Sequence, residues 1–417
     1  MPSSNARPLG PRIFEMIEAL AQFTQAEGEL TRCSFTPEAA KASDCVLAWM
    51  TDAGMRTHID EIGNVIGRYP GTDPDAPALM VGSHLDTVRN AGKYDGMLGV
   101  VTPIACIEQL HERGETLPFP IEVIAFCDEE GTRFQATLLG SRAVAGTFDK
   151  EVLTSVDAQD ISLASAMEAA GFPAEHIPKA KRASGSVRGF VEIHIEQGPV
   201  LEQHGLPVGV VTAIAGAARY RVRISGMAGH AGTVPMSMRQ DALAGAADAI
   251  LLVERVCTDS DGVVGTVGRI RAAPGAVNVI PGSVEFTIDI RSGDDALRQQ
   301  AFAEIDAAIR AIGDRRGLDV DIEQFHANDS AVCDERLSDE LATAVADCGL
   351  RVHRLASGAG HDAMAMEALT PMAMLFVRCR AGISHHPAEE ITCADATEAG
   401  NVLLTLMRNL AAKSEHA

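Results

Sequence analysis

Three short apolar runs, ALMVG at 78–82, IEVIAFC at 121–127 and FVEIHIE at 190–196, each lead into a stretch rich in histidine and carboxylate. Short apolar runs of this length bounded by turn residues read as strands. Between the first two, LGVVTPIACIEQLHERG at 98–114 has helical apolar spacing and stops at Gly114. Such strand-then-helix alternation suggests an α/β fold with helices covering a central mixed sheet. The polar residues then fall at strand ends, where open α/β sheets bind their ligands.

The texture changes at about residue 213. RYRVRIS at 219–225 and SVEFTIDI at 283–290 alternate like half-buried strands, and Ala-rich helical segments lie near 238–257 and 295–313. After about 328 the earlier pattern returns, with PMAMLFV at 371–377 as a buried strand and a helix from about 394, to match an amphipathic helix at the start. The simplest organisation is a main domain over 1–212 and 328–417, interrupted by an α+β domain at 213–327. A length of 417 residues suits two domains.

A formal net charge of −22 disfavours a nucleic-acid partner or an anionic membrane surface, since phosphate binding needs clustered Lys and Arg. It does not disfavour a small anionic substrate, because cations within a cleft dominate the local field. The nine cysteines contain no C-x-x-C pair, so neither a disulfide framework nor a zinc knuckle is implied. With no signal-like start and no apolar run near the ~20 residues of a membrane span, the expected compartment is the cytoplasm.

The candidate chemistry lies beside glycines and strand ends: His84 and Asp86 in GSHLDTV, Asp95 in KYDG, Asp128, Glu129 and Glu130 in DEEGTRF, His194 in HIEQG, and His385 in SHHPAE. Taken singly, each such residue is usually structural or solvated. Together they form an oxygen and imidazole donor set without thiolate, which suits Zn²⁺, Mn²⁺, Co²⁺ or Ni²⁺. Two such cations ~3.5–4 Å apart bring the pKa of a shared water near neutrality and polarise a carbonyl. Glu129 and Glu130 are placed to divide the tasks of base and ligand, and Asp86 to accept the N–H of His84 and fix its tautomer.

The motifs GSHLDTV, KYDGMLGV, DEEGTRF, HIEQGPVLE, GHAGTVPM, NVIPG, SGAGHDA and SHHPAE, in this order from 82 to 389, resemble those of the hydantoinase/carbamoylase family of amidases, within the dinuclear zinc aminopeptidase-like superfamily. The resemblance implies a metallopeptidase-like catalytic domain and an inserted lid that also mediates homodimerisation. It implies two divalent metals, Zn²⁺ first among them, held by His84, Asp95, Glu130, His194 and His385, with Asp95 bridging and Glu129 as general base. His385 is preferred to its neighbour His386 because the family pattern is Ser-His-x-Pro. The implied substrate contacts are Gln197, His230, Asn278, Arg291, Gly360 and His361, with His230 at the oxyanion and Arg291 at a carboxylate. Whether His230 acts within its own chain or from a partner subunit is open.

No G-x-S-x-G elbow accompanies these histidines, and no cysteine lies within a catalytic motif; Cys127 is expected to point to the core. The expected reaction is therefore metal-dependent hydrolysis of a ureido C–N bond in a small carboxylated substrate. The segment GTRFQATLLGSRAVAG at 131–146 resembles the allantoate-directed branch, making purine-ureide breakdown the first choice. N-carbamoyl-L-amino acid hydrolysis is second, and ureidopropionate or dipeptide hydrolysis follows; a non-catalytic binding protein is the alternative of another class.

Overall fold

A computed structural model describes residues 8–414. The chain divides into two compact units: one holds the described residues through Thr212, Cys333–Leu355 and those from Ala359 onward, and the other holds Ala213–Val332 with Ala356–Gly358.

The first unit is built on a mixed sheet. Its strands run side by side in the order Arg56–Ile59, Val65–Tyr69, Ile121–Phe126, Ala78–His84, Val187–Ile195, Met372–Val377 and Val208–Ile214. The four from Ile121–Phe126 to Met372–Val377 are mutually parallel, and antiparallel strands flank them. The expected strands and the helix Met97–Glu112 are present within a few residues of their predicted bounds.

Alternation along each parallel strand separates two faces. Leu79, Val81, Val123, Ile193 and Leu375 join one core with Ile13, Met50, Val100, Leu341 and Leu403 from the covering helices. Each such side chain contributes roughly 1.5–3 kcal/mol by leaving water. The opposite face carries Phe126 and Phe190, with ring centroids 5.8 Å apart, and the buried polar residues Glu192 and His194. Local signals set the helix starts: Thr36 accepts from the Ala39 amide before Pro37–Asp52, and Asp334 accepts from Leu337 before Glu335–Asp347.

The second unit is a four-stranded antiparallel sheet, ordered Asp319–Asn328, Gly216–Ser225, Ser283–Ser292 and Val263–Ala273. In Ser283–Ser292 every second residue is buried, so Val284, Phe286, Ile288 and Ile290 pack on the helices Ala242–Asp259 and Asp295–Arg316. Asp241 and Asp294 cap those helices by accepting from main-chain amides. The sheet's other face is a charged ladder, in which Arg219, Arg221 and Arg223 pair with Asp289, Glu323 and Glu285. A separate two-stranded pairing joins Gly229–His230 to Val279–Ile280.

All nine cysteines are free. Among the described residues, no helix is long and apolar enough to cross a membrane.

Candidate metal centre

The parallel register brings the functional segments to one edge of the sheet. His84 ends its strand opposite Phe126, two residues before Asp128, and His194 lies opposite Phe376 near the end of its own strand. The loops that follow these strands carry Asp86, Asp95, Glu129, Glu130, Gln197 and His385. This is the carboxyl-end geometry expected for a ligand site in an α/β sheet.

Asp95 lies at the centre. Its Oδ1 is 3.4 Å from His84 Nε2 and 3.2 Å from His194 Nε2, while its Oδ2 is 3.4 Å from His385 Nε2. His385 Nε2 is also 3.5 Å from Glu130 Oε1. Two donor trios therefore share one carboxylate: His84, Asp95 and His194 on one side, and Asp95, Glu130 and His385 on the other. Imidazole and carboxylate donors so disposed fit two borderline divalent cations with Asp95 between them. Glu129 stands farther off, its Oε2 4.0 Å from His84 Nε2, although its carboxylate also falls within ligand range of His84 and Glu130. His386 is exposed and its Nδ1 accepts from the Ala388 amide, so His385 is the member of the pair that reaches the cluster.

The backbone is shaped around this cluster. Gly96 has φ +67°, and a Cβ there would stand 2.4 Å from the His84 ring, so a larger residue would displace the imidazole. Asp128, Gln197 and His385 all have φ near +55°, an uncommon and strained region for side-chain-bearing residues.

Asp86 behaves differently from expectation. The Nδ1 of His84 lies 3.0 Å from the Asp86 main-chain carbonyl and 3.7 Å from its carboxylate. That carboxylate instead accepts from the amides of Glu129 and Glu130, at 3.0 Å each. The tautomer of His84 is thus set by a carbonyl, and the Asp86 side chain holds the turn that presents the two glutamates.

Gln197, expected at the substrate, and Ser384 and Glu389 of SHHPAE contact Asp95 or its amide, contacts that the motifs alone did not disclose. Gln197 Nε2 donates to Asp95 Oδ2 at 2.7 Å, and Ser384 Oγ donates to the same oxygen at 2.8 Å. Glu389 accepts from the amides of Tyr94 and Asp95 at 2.8 and 3.0 Å. Glu192, fully buried, accepts from Ser83 Oγ at 2.7 Å and from the Ala363 amide at 2.9 Å. It thereby joins the residue before His84 to a segment two residues beyond His361, and it shares a strand face with His194. The His361 and His194 rings meet edge to face at 4.5 Å. The alternate spacing of Glu192 and His194 in FVEIHIE was the available sequence signal for Glu192.

The electrostatics show how unusual this packing is. Burial opposes charge on His84, but Asp95, Glu129 and Asp86 outweigh it and hold the imidazole pKa well above its ordinary value. Burial likewise works against ionised Asp95, yet His194, His385 and His84 hold it well below the usual carboxylate range. Burial, aided by Glu130, Asp362 and Asp86, pushes Glu129 well up; burial and Asp95 push Glu130 up to about 7. The hydrogen bond to Asp95 raises His385 to about 9. Crowded carboxylates of this kind are what bound dications compensate.

The remaining expected contacts divide between the units. Gly360 is exposed and His361 buried in the first unit. In the second, His230 is exposed, its Nδ1 accepts from the Gly232 amide, and the adjacent Ala231 amide donates to the Asn278 carbonyl, so His230 and Asn278 share one local pairing. Arg291 lies on a different strand and is paired with Asp289. Cys127 lies one residue beyond its strand, in the wall of an apolar cavity of about 530 Å³ that also includes Phe35 and Phe172, and burial pushes its thiol pKa well up. It lies outside the ligand trios, and its thiol is turned inward to the wall of that cavity.

A family model described as Peptidase family M20/M25/M40 matches residues 80–409. The chain belongs to this family. Among M20 relatives, allantoate deiminase 1 of Glycine max is 43% identical over 94% of the chain and 87% of the relative. The N-carbamoyl-L-amino acid amidohydrolase of Geobacillus stearothermophilus is 41% identical over 96% of the chain and 98% of the relative. A crystal structure of a hydantoinase/carbamoylase family amidase from Burkholderia multivorans superposes with a TM-score of 0.90 at 32% identity, covering 96% of the chain and 98% of its own. The protein is thus an M20-family hydrolase of the amidase type acting on C–N bonds, and its donor trios are in keeping with metal binding.

Proposed function

We propose that this M20 enzyme hydrolyses the ureido group of allantoate, releasing ammonia and carbon dioxide. The observation that carries the reading is the pair of donor trios sharing Asp95 with Glu129 beside them. His84, Asp95 and His194 would hold one divalent cation, and Asp95, Glu130 and His385 the other, with Zn²⁺ the first expectation. When bound, the pair supplies an acidified water and a polarised scissile carbonyl.

The chain's own residues supply the rest. Glu129, not needed by either trio, takes the proton from the attacking water and returns it to the departing nitrogen as the C–N bond breaks. The released carbamate then decomposes to ammonia and carbon dioxide. Asp86 keeps Glu129 in place through its amide. Gln197 and Ser384 fix Asp95 by donating to its Oδ2. His230 is assigned to the developing oxyanion, Asn278 to polar substrate atoms and Arg291 to the carboxylate, with Gly360 and His361 completing the pocket. The second unit is assigned the roles of lid and homodimer contact.

N-carbamoyl-L-amino acid hydrolysis is the second reading, supported by the 41% identical relative, of which the chain covers almost the whole length. Ammonia release by metal-reconstituted enzyme from allantoate, compared with a panel of N-carbamoyl-L-amino acids and a chelated control, decides between them. A preference for the carbamoyl amino acids overturns the allantoate assignment and leaves the reaction class standing.

A further inference from the structure

Arg291 is held differently from its neighbours on the charged face of the second unit. Its Nε donates to Asp289 Oδ1 at 2.8 Å, its Nη2 to Asp289 Oδ2 at 3.3 Å, and its Nη1 to the Gly358 carbonyl at 2.9 Å. Arg221 and Arg223 on the same face donate to the side-chain carboxylates of Glu323, Glu285 and Asp321, and Arg221 also lies over the Phe325 ring, 5.2 Å from its centroid. Asp289 is itself fixed from the other side, since Arg219, directly opposite in register, donates its Nε to Asp289 Oδ2 at 2.8 Å. Burial disfavours ionised Asp289, but Arg291 and Arg219 outweigh it and keep its pKa below the ordinary value.

A guanidinium has five N–H donors, of which the contacts here use three. One N–H remains on each of Nη1 and Nη2, and two such donors match the two oxygens of a carboxylate. The ion pair with Asp289 therefore does not exhaust Arg291. It grips the Nε side and leaves a two-donor remainder on a side chain about one-third exposed.

We propose that Asp289 is a positioning residue for substrate specificity: with the Gly358 carbonyl, it sets the guanidinium of Arg291 to receive the substrate carboxylate. This rests on the ureido-carboxylate reading above. An arginine already immobilised loses less side-chain freedom when a ligand arrives, so the clamp lowers the cost of binding an anion.

The test is steady-state kinetics of the metal-loaded enzyme on allantoate, or on N-carbamoyl-L-alanine if that is the compound turned over, alongside the corresponding carboxamide. Asp289→Asn is expected to raise KM for the carboxylate about fivefold to tenfold, leave kcat within about twofold, and leave KM for the carboxamide unchanged. Arg219→Gln removes the other partner of Asp289 but leaves its pairing with Arg291, so it should raise KM for the carboxylate by less than Asp289→Asn does and leave KM for the carboxamide unchanged. Arg291→Gln should raise KM for the carboxylate further, and adding Asp289→Asn to it should have no additional effect. If Arg291→Gln raises KM but Asp289→Asn does not, the positioning role is wrong while the carboxylate reading stands. If Arg291→Gln has no effect, the carboxylate reading fails and the proposal with it. Equal losses on carboxylate and carboxamide would show a general structural defect and also overturn it.

Discussion

The two units place functional residues in opposite environments. In the first, His84, Asp95 and His194 are buried; the imidazole Nδ1 atoms meet the main-chain carbonyls of Asp86 and Ile195, and the Asp95 amide is held by the distant Glu389. In the second, His230 and Asn278 are exposed, and His230 is steadied by a single local amide. Rigid, desolvated donors suit ions that demand fixed geometry, whereas exposed side chains suit a substrate that must enter and leave. Changes in the first unit should therefore alter metal content, and changes in the second should alter turnover with the metals retained.

The largest effect expected from breaking this division is at Asp95. Asp95→Ala removes the oxygen donors common to both trios, so activity and both metal equivalents should be lost. His385→Ala touches one trio and should leave about one equivalent. Metal analysis after exhaustive dialysis reads both. Two equivalents retained by Asp95→Ala would show that the carboxylate is not shared.

Glu129→Gln separates chemistry from ligation. With both equivalents bound, kcat should fall by about 10²–10⁴, the range for loss of a positioned general base. Loss of a metal equivalent instead would make Glu129 a ligand, which its proximity to His84 and Glu130 allows. On the other side of the comparison, His230→Ala should lower kcat by about 10²–10³, as for a lost oxyanion donor, without changing metal content.

Glu192 tests how far the first unit's rigidity extends from the ligands. Its two acceptor bonds link Ser83 to Ala363, so Glu192→Ala should weaken metal affinity roughly 10–100-fold, the range for supporting groups around metal ligands. Glu192→Gln can accept from Ala363 and donate to Ser83, whose hydroxyl then turns to accept, so it should restore most of the affinity. A competitive titration against a chromophoric chelator measures both. Equal affinity in the alanine variant and the unaltered enzyme would make this carboxylate part of the fold alone.

These residues also show what the sequence could disclose. Parallel strands buried on both faces appear as continuous apolar runs, which is why Ala78–His84, Ile121–Phe126 and Val187–Ile195 and the ligands at their ends were legible. The edge strand Arg56–Ile59, carrying Arg and His, and its inner neighbour Val65–Tyr69, carrying Gly and Arg, lacked that signature. Spacing placed Asp86 next to His84 but could not tell whether its carbonyl or its carboxylate meets the ring. The role of Glu389, the last residue of SHHPAE, was hidden for another reason: it meets the Tyr94 and Asp95 amides from almost 300 residues away, a contact created by the closed fold and not by local pattern.

A further prediction concerns the pH dependence of metal uptake at the more exposed trio. Ligation requires His385 to be neutral and Glu130 to be ionised. With pKa values raised to about 9 and about 7, His385 holds a proton throughout the range from 6 to 8, and Glu130 holds one increasingly below 7. Binding must release these protons, so affinity rises with pH. The slope should be about tenfold per pH unit above neutrality and approach hundredfold below it, as the second proton joins the exchange. Chelator competition from pH 6 to 8, with proton release followed by calorimetry in buffers of different ionisation enthalpy, measures the slope directly. A uniform tenfold slope would remove Glu130 from the proton-linked ligands, while pH-independent binding would remove both groups and with them the electrostatic contrast between the two units.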